Sequence, residues 1–116
     1  MHRTIGAAIE VHRHLGPGYL ESIYHRALAV EFLERGIGYA KDTGIDVTYK
    51  GRVLQGHRLD LVVESCLVVE VKAVSQLDPI HTSEVVSYLK ATGLRAGLLL
   101  NFNSVVMKTG IRRIVL

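Results

Sequence analysis

The sequence predicts an α/β (α+β) fold, with one central mixed β-sheet flanked by helices in the order α-α-β-β-β-α-β-β. Three observations carry this expectation. Two stretches near the start and one after Pro79 place apolar residues three and four apart, the period of a helix. The run Arg58–Ala73 holds two apolar segments around a short polar break, the pattern of a hairpin of buried strands. Ala96-Gly97-Leu98-Leu99-Leu100 is a continuous apolar run, as in a strand covered on both faces.

Composition bounds the function. A chain of 116 residues that is 48% hydrophobic and 22% charged suits a single domain over residues 1–116 with a real core. The net charge of +3 permits a polyanionic partner without demanding one. The single cysteine, Cys66, excludes an intramolecular disulfide and any Cys-rich zinc or iron–sulfur centre. No apolar run approaches the length of a membrane span and no secretory leader opens the chain, so a cytoplasmic protein with no membrane partner is expected. The chain has no Gly-rich phosphate loop, which argues against a nucleotide-driven motor or kinase. Aromatic residues make up 6% with no Trp, so no platform for stacking single strands stands out.

Taken in order, Thr4–Leu15 reads as an amphipathic helix with Ile5, Ala8, Ile9, His12 and Leu15 as its apolar stripe. Glu10 and His14 meet on another face. Histidines two apart on a helix point away from each other, so His2, His12 and His14 read as packed or solvated side chains. Gly16-Pro17-Gly18 breaks the helix, and a second runs from Tyr19 or Leu20 to about Arg35, stopping at Gly36. Leu20, Ile23, Ala27, Leu28 and Val30 are its apolar surface, while Glu21, Tyr24, His25 and Leu28 share one side. Glu21 in the first turn suits the helix dipole, which alone accounts for it. Ile45–Tyr49 alternates as a strand, Lys50-Gly51 turns the chain, and Val53–Gln55 forms a short strand before Gly56. Arg58–Val63 and Leu67–Ala73, joined at Glu64-Ser65, complete an antiparallel meander. Pro79 and Gly93 delimit a third helix that packs on the sheet through Ile80, Val85, Val86 and Leu89 and carries Glu84 and Tyr88 on one face. Strands over Arg95–Phe102 and Ile111–Leu116 close the chain.

Asp60, Glu70 and Lys72 sit inside the two apolar strands of Arg58–Ala73. Charges on core strands need a partner or a task, because desolvating an unpaired ion is costly. Alternation puts Glu70 and Lys72 on one face, and with the turn at Glu64-Ser65 residues near 60 and 70 lie opposite each other. Two carboxylates so placed are within reach of one hard cation, Mg²⁺ or Mn²⁺, which polarises a phosphoryl oxygen and acidifies a bound water. Lys72 then orients that water or neutralises developing charge. The plainer reading is a structural salt bridge from Lys72 to Glu70 or Asp60 at the sheet edge.

Leu59-Asp60 followed by Glu70-Val71-Lys72 resembles the motif pair of the PD-(D/E)xK nuclease superfamily. Glu84-Val85-Val86-Ser87-Tyr88 resembles the Gln-x-x-x-Tyr helix of its RecB-like branch. Gly18-Tyr19-Leu20-Glu21-Ser22-Ile23-Tyr24 resembles the name-giving motif of the small bacterial GxxExxY family. So do Ile5–His12, Leu15–Gly18, Tyr88–Leu94, Gly97–Asn103 and Arg113–Leu116, so the likeness covers nearly the whole chain. It implies a restriction-endonuclease-like core and a metal-dependent nuclease acting on DNA or RNA. Asp60, Glu70 and the Val71 carbonyl would hold Mg²⁺ or Mn²⁺, Glu21 would support the ion, and Lys72 would be the catalytic cation. Tyr88, Glu84 and His25 would position the substrate, and His25, Lys90, Arg112 and Arg113 are candidates for phosphate contacts. The chain departs from the pattern at Glu84, where the family has Gln; the extra carboxylate alters metal affinity or repels a phosphate. Two readings compete with the nuclease: a non-catalytic nucleic-acid-binding module, and a homodimeric interaction module that retains the fold.

Overall fold

The computed structural model describes residues 1–116. Its helices are α1 (His2–Leu15), α2 (Glu21–Arg35) and α3 (Pro79–Thr92). Its strands are β1 (Tyr39–Tyr49), β2 (Arg52–Val63), β3 (Leu67–Lys72), β4 (Ala96–Asn101) and β5 (Ile111–Val115), with a 3-10 turn at Met107–Gly110. The element order is the predicted one. The five strands form one sheet in the order β1-β2-β3-β4-β5. Every neighbouring pair is antiparallel except β3 and β4, which run parallel and are joined by the α3 crossover. No helix is long and apolar enough to cross a membrane.

The sheet separates two cores. On one face Ala7, Ala8 and Val11 of α1 and Tyr24, Leu28 and Phe32 of α2 pack on Leu61, Val69, Val71, Leu98 and Leu100. On the other face Val85, Tyr88 and Leu89 of α3 pack on Leu59, Val68 and Leu99. Adjacent residues of β3 and β4 thus point into different cores, which is why both strands read as continuous apolar runs. Gly97 lets α3 approach: a Cβ there would lie 2.6 Å from Val85 Cγ1.

Several expected packing positions move. Ile9, Leu20, Val30 and Ile80 are exposed, and Ala7, Val11, Tyr24, Phe32 and Tyr88 take their places inside. α1 packs on α2 as well as on the sheet, so its buried stripe turns by about one residue from the one read off large apolar side chains. β1 starts at Tyr39, six positions before the expected Ile45, and β2 runs unbroken through Gly56, which has φ 106. At Lys50-Gly51 both residues have positive φ, the geometry of a tight hairpin turn. Glu64 and Ser65 do the same between β2 and β3, leaving Cys66 an exposed free thiol.

Tyr24 ties three segments together. Its hydroxyl donates to the Gly16 carbonyl at 2.6 Å and accepts from the Tyr19 N–H at 3.1 Å, fixing the α1–α2 loop. Its ring stacks on Phe102 with centroids 4.7 Å apart. His12 Nε2 donates to the Ser104 carbonyl at 2.7 Å, and Gly18 N–H donates to Asn103 Oδ1 at 3.1 Å, so the same loop is fastened to the segment after β4. His12 is therefore a packed histidine, as expected. Tyr24→Phe keeps the stack and strands two partly buried backbone groups; it should lower unfolding free energy by about 1–2 kcal/mol. Urea denaturation of the two proteins checks this.

Candidate active site

β2 pairs with β3 over three positions only, Leu61↔Val69, Val62↔Val68 and Val63↔Leu67. Toward Arg52 it continues with β1 alone. Where β2 and β3 part, backbone N–H groups lose their ladder partners and must find others. Two carboxylates supply them. Asp60 N–H donates to Glu70 Oε1 at 3.0 Å, and Val71 N–H donates to Asp60 Oδ2 at 2.9 Å. Each acid satisfies the other strand's orphan donor, so the fork in the sheet itself holds the pair together.

The pair sits in an apolar setting, with Glu70 only 4% exposed. Burial, and behind it the Asp60 charge, pushes the Glu70 carboxyl up to about 8, while Lys72 works in the opposite sense. Asp60 moves down, despite burial, because His25 and the Val71 N–H bond its ionised form. The His25 ring nitrogen Nε2 lies 3.5 Å from Asp60 Oδ2, and His25 is raised by that hydrogen bond against its own burial. The fork therefore favours one ionised and one protonated carboxyl, because the burial of Glu70 beside the Asp60 charge outweighs the nearby Lys72. The residues fit a divalent ion in this respect: each acid uses one oxygen on backbone and keeps a second, and a cation would take the place of the Glu70 proton.

The other predicted residues fall around this fork. Lys72 follows Glu70 on the same face, but its Nζ lies 3.4 Å from Glu84 Oε2 rather than against Glu70 or Asp60. The expected strand salt bridge is thus replaced by a strand-to-helix one. Tyr88, one turn beyond Glu84, is 5% exposed and lies tilted at 46° against His57, with ring centroids 5.0 Å apart. Burial first, then the charges of Glu70, Glu84 and Asp60, push its phenol up to about 12, so it stays a hydrogen-bond donor. Glu21 is exposed in the first turn of α2, one turn before His25, whose protonated form it favours. It does not close a cluster: no three His, Cys, Asp or Glu side chains surround a common point. Val71 buries its side chain in the core, leaving only its carbonyl for an ion. Arg112 bonds Thr82 Oγ1 and the Leu77 carbonyl, each at 3.4 Å, and so braces β5 against the start of α3, while Lys90 and Arg113 are exposed.

One positioning residue escaped the sequence reading. Asn101, buried at the end of β4 beside Lys72, accepts from Val74 and Asn103 N–H groups at 3.0 and 3.2 Å and donates to the Val74 carbonyl at 2.9 Å. The Phe102 N–H adds a bond to the Lys72 carbonyl at 2.9 Å. Together these fix the chain that leaves Lys72. A polar amide ending a fully buried apolar strand is the signal that marked it.

A family model of the PD-(D/E)XK nuclease superfamily matches residues 1–114. The five-stranded mixed sheet with its three helices agrees with the restriction-endonuclease-like core of that expectation. No curated protein and no solved structure matches the chain.

The raised carboxyl gives a signed pH dependence. Folded Glu70 keeps a proton that the unfolded chain releases near its ordinary value of 4.5. Its contribution is complete below that value and is lost as pH rises through about 8. His25, also raised, acts in the same sense. In metal-free buffer wild type should lose stability from about pH 5 to about pH 8, by on the order of 3 kcal/mol more than Glu70→Gln does. Denaturant titrations of both proteins at the two pH values measure the difference.

Proposed function

Since the chain belongs to the PD-(D/E)XK nuclease superfamily, we propose that it is a Mg²⁺- or Mn²⁺-dependent phosphodiesterase that cleaves DNA or RNA. Within the superfamily we place it in the RecB-like branch and the GxxExxY family, as a single domain over residues 1–116. The observation that carries the reading is the convergence of Asp60 and Glu70 at the fork between β2 and β3, with Lys72 next on the same face.

Asp60, Glu70 and the Val71 carbonyl are the proposed ligands, with Glu21 supporting from α2. A divalent ion held there supplies Lewis acidity toward a phosphoryl oxygen and lowers the pKa of a bound water. His25 keeps Asp60 ionised. Lys72 presents its ammonium to the charge that grows on the phosphoryl oxygens, and Glu84 fixes its direction. Tyr88, held protonated, offers a hydroxyl to a phosphate and walls the site against water. Glu84 also sets a cost, because its charge opposes an incoming phosphate and offsets that of Lys72.

That offset favours a second reading, in which Lys72 serves only to neutralise Glu84 and the chain binds nucleic acid without cutting it. One assay separates the two. Single- and double-stranded DNA and RNA are incubated with Mg²⁺ or Mn²⁺ and wild type or Lys72→Ala. The hydrolytic reading expects cleavage that falls on the order of 10²–10³-fold in the variant. Absence of metal-dependent cleavage, or equal cleavage by both proteins, sinks it, and salt-sensitive binding that survives Lys72→Ala then supports the second.

Glu84→Gln keeps an acceptor for Lys72 and removes the repulsion. It should lower KM roughly threefold to tenfold, the equivalent of about 1 kcal/mol. Mg²⁺ should raise Tm in wild type and leave Asp60→Asn unmoved, a readout that needs no turnover.

A further inference from the structure

The β1–β2 ribbon extends well past the fork. Beyond Leu61 no third strand joins it on the β3 side, and the pairing runs on to Tyr49↔Arg52. α3 supports the base, where Tyr88 meets His57 and Ser87 lines a shallow cleft with Val47 and Leu54, but the ribbon beyond them is uncovered. Val47, Leu54, Val53 and Tyr49 are 40%, 49%, 57% and 58% exposed. The molecule is correspondingly long, 46 Å against 31 and 23 Å. An arm of this kind gains nothing for the core, and its apolar tip carries a hydration cost when left uncovered.

Charge indicates what covers it. From Val47 to His57 the only formal charges are Lys50 and Arg52, both at the tip, and neither has a carboxylate partner. A second copy docked tip to tip by a two-fold axis would bring these cations against themselves. A single-stranded nucleic acid would need open ring faces for stacking. Tyr49 is the only aromatic at the tip, and the Lys50 ammonium lies 5.4 Å from its ring centroid. A duplex needs neither: its major groove, about 12 Å wide, admits a two-stranded ribbon, with cations meeting phosphates and apolar side chains meeting the groove floor.

We infer that the β1–β2 arm enters the major groove of double-stranded DNA, with Lys50 and Arg52 on its phosphates and Val47 and Leu54 against the base edges. The inference rests on the nuclease reading and narrows its substrate to duplex DNA. At about 3.3 Å per residue, β2 carries Arg52 roughly 26 Å from Asp60. That span corresponds to about eight base pairs at ~3.4 Å each, so the arm grips the duplex about that far from the fork.

The test reads binding in chelator, without turnover, by fluorescence anisotropy on three probes: a duplex of about 24 base pairs, one of about 6, and a single strand of about 24 nucleotides. Wild type should prefer the long duplex. Lys50→Glu/Arg52→Glu, at exposed positions flanking the turn, should lose tenfold or more on the long duplex alone. The neutral Lys50→Gln/Arg52→Gln pair should flatten the salt dependence by about 1.8 in log–log slope, two phosphate contacts' worth. Equal binding of the long duplex by the charge-reversed variant overturns the inference, as does a wild-type preference for the single strand or no duplex binding at all. A dimer in light scattering that Val47→Asp/Leu54→Asp splits would assign the arm to a second copy and also overturn it. The hydrolytic reading stands or falls separately, on the Lys72→Ala cleavage assay.

Discussion

Two strands that pair for three residues and then part leave backbone donors without ladder partners, and the structure answers with side-chain oxygens. The reciprocal bonds of Asp60 and Glu70 to each other's strands are the constraint on which the site depends. They hold two acids closer than their charges favour. Burial, with the neighbouring carboxylate charge behind it, raises Glu70 and the Tyr88 phenol, while Asp60 raises His25 against its own burial. A site that tolerates one proton in place of a second negative charge is poised for a cation.

The surrounding elements hold the groups around the fork in place. α2 brings His25 to one side of Asp60, and α3 brings Glu84 and Tyr88 over Glu70 and Lys72. Asn101 ties the chain leaving Lys72 to the end of β4. The Tyr24 hydroxyl and the Phe102 stack hold the α1–α2 loop, and with it the start of α2, against the same end of the sheet. A tyrosine embedded in a run of motif residues can thus act through a loop, since its hydroxyl meets backbone only.

Much of this was legible in sequence because it depends on period and chemistry. The element order, the meander, the pairing of residues near 60 and 70 and the limits of α3 follow from apolar spacing and from Pro, Gly and turn residues. The failures have a common cause, which is that neighbours decide what one chain segment cannot. Ile9, Leu20, Val30 and Ile80 are apolar yet face outward, because no element packs over them. Lys72 reaches a helix rather than its own strand, and His25 meets Asp60 across the sheet's edge; neither distance is encoded in local spacing. Glu21 stands in the first turn of α2, where its spacing puts it.

The parallel pairing of β3 with β4 has a consequence for how the site comes into being. β1, β2 and β3 meet through short turns and can form early, but the parallel contact must wait for the α3 crossover to fold. Until then Glu70 is wet, its neighbour Lys72 has no Glu84, and the donors at the fork can bond to solvent. The long-range β3–β4 contact is therefore what takes Glu70 out of water, so a chain whose α3 crossover has not docked carries every site residue without the burial that raises Glu70.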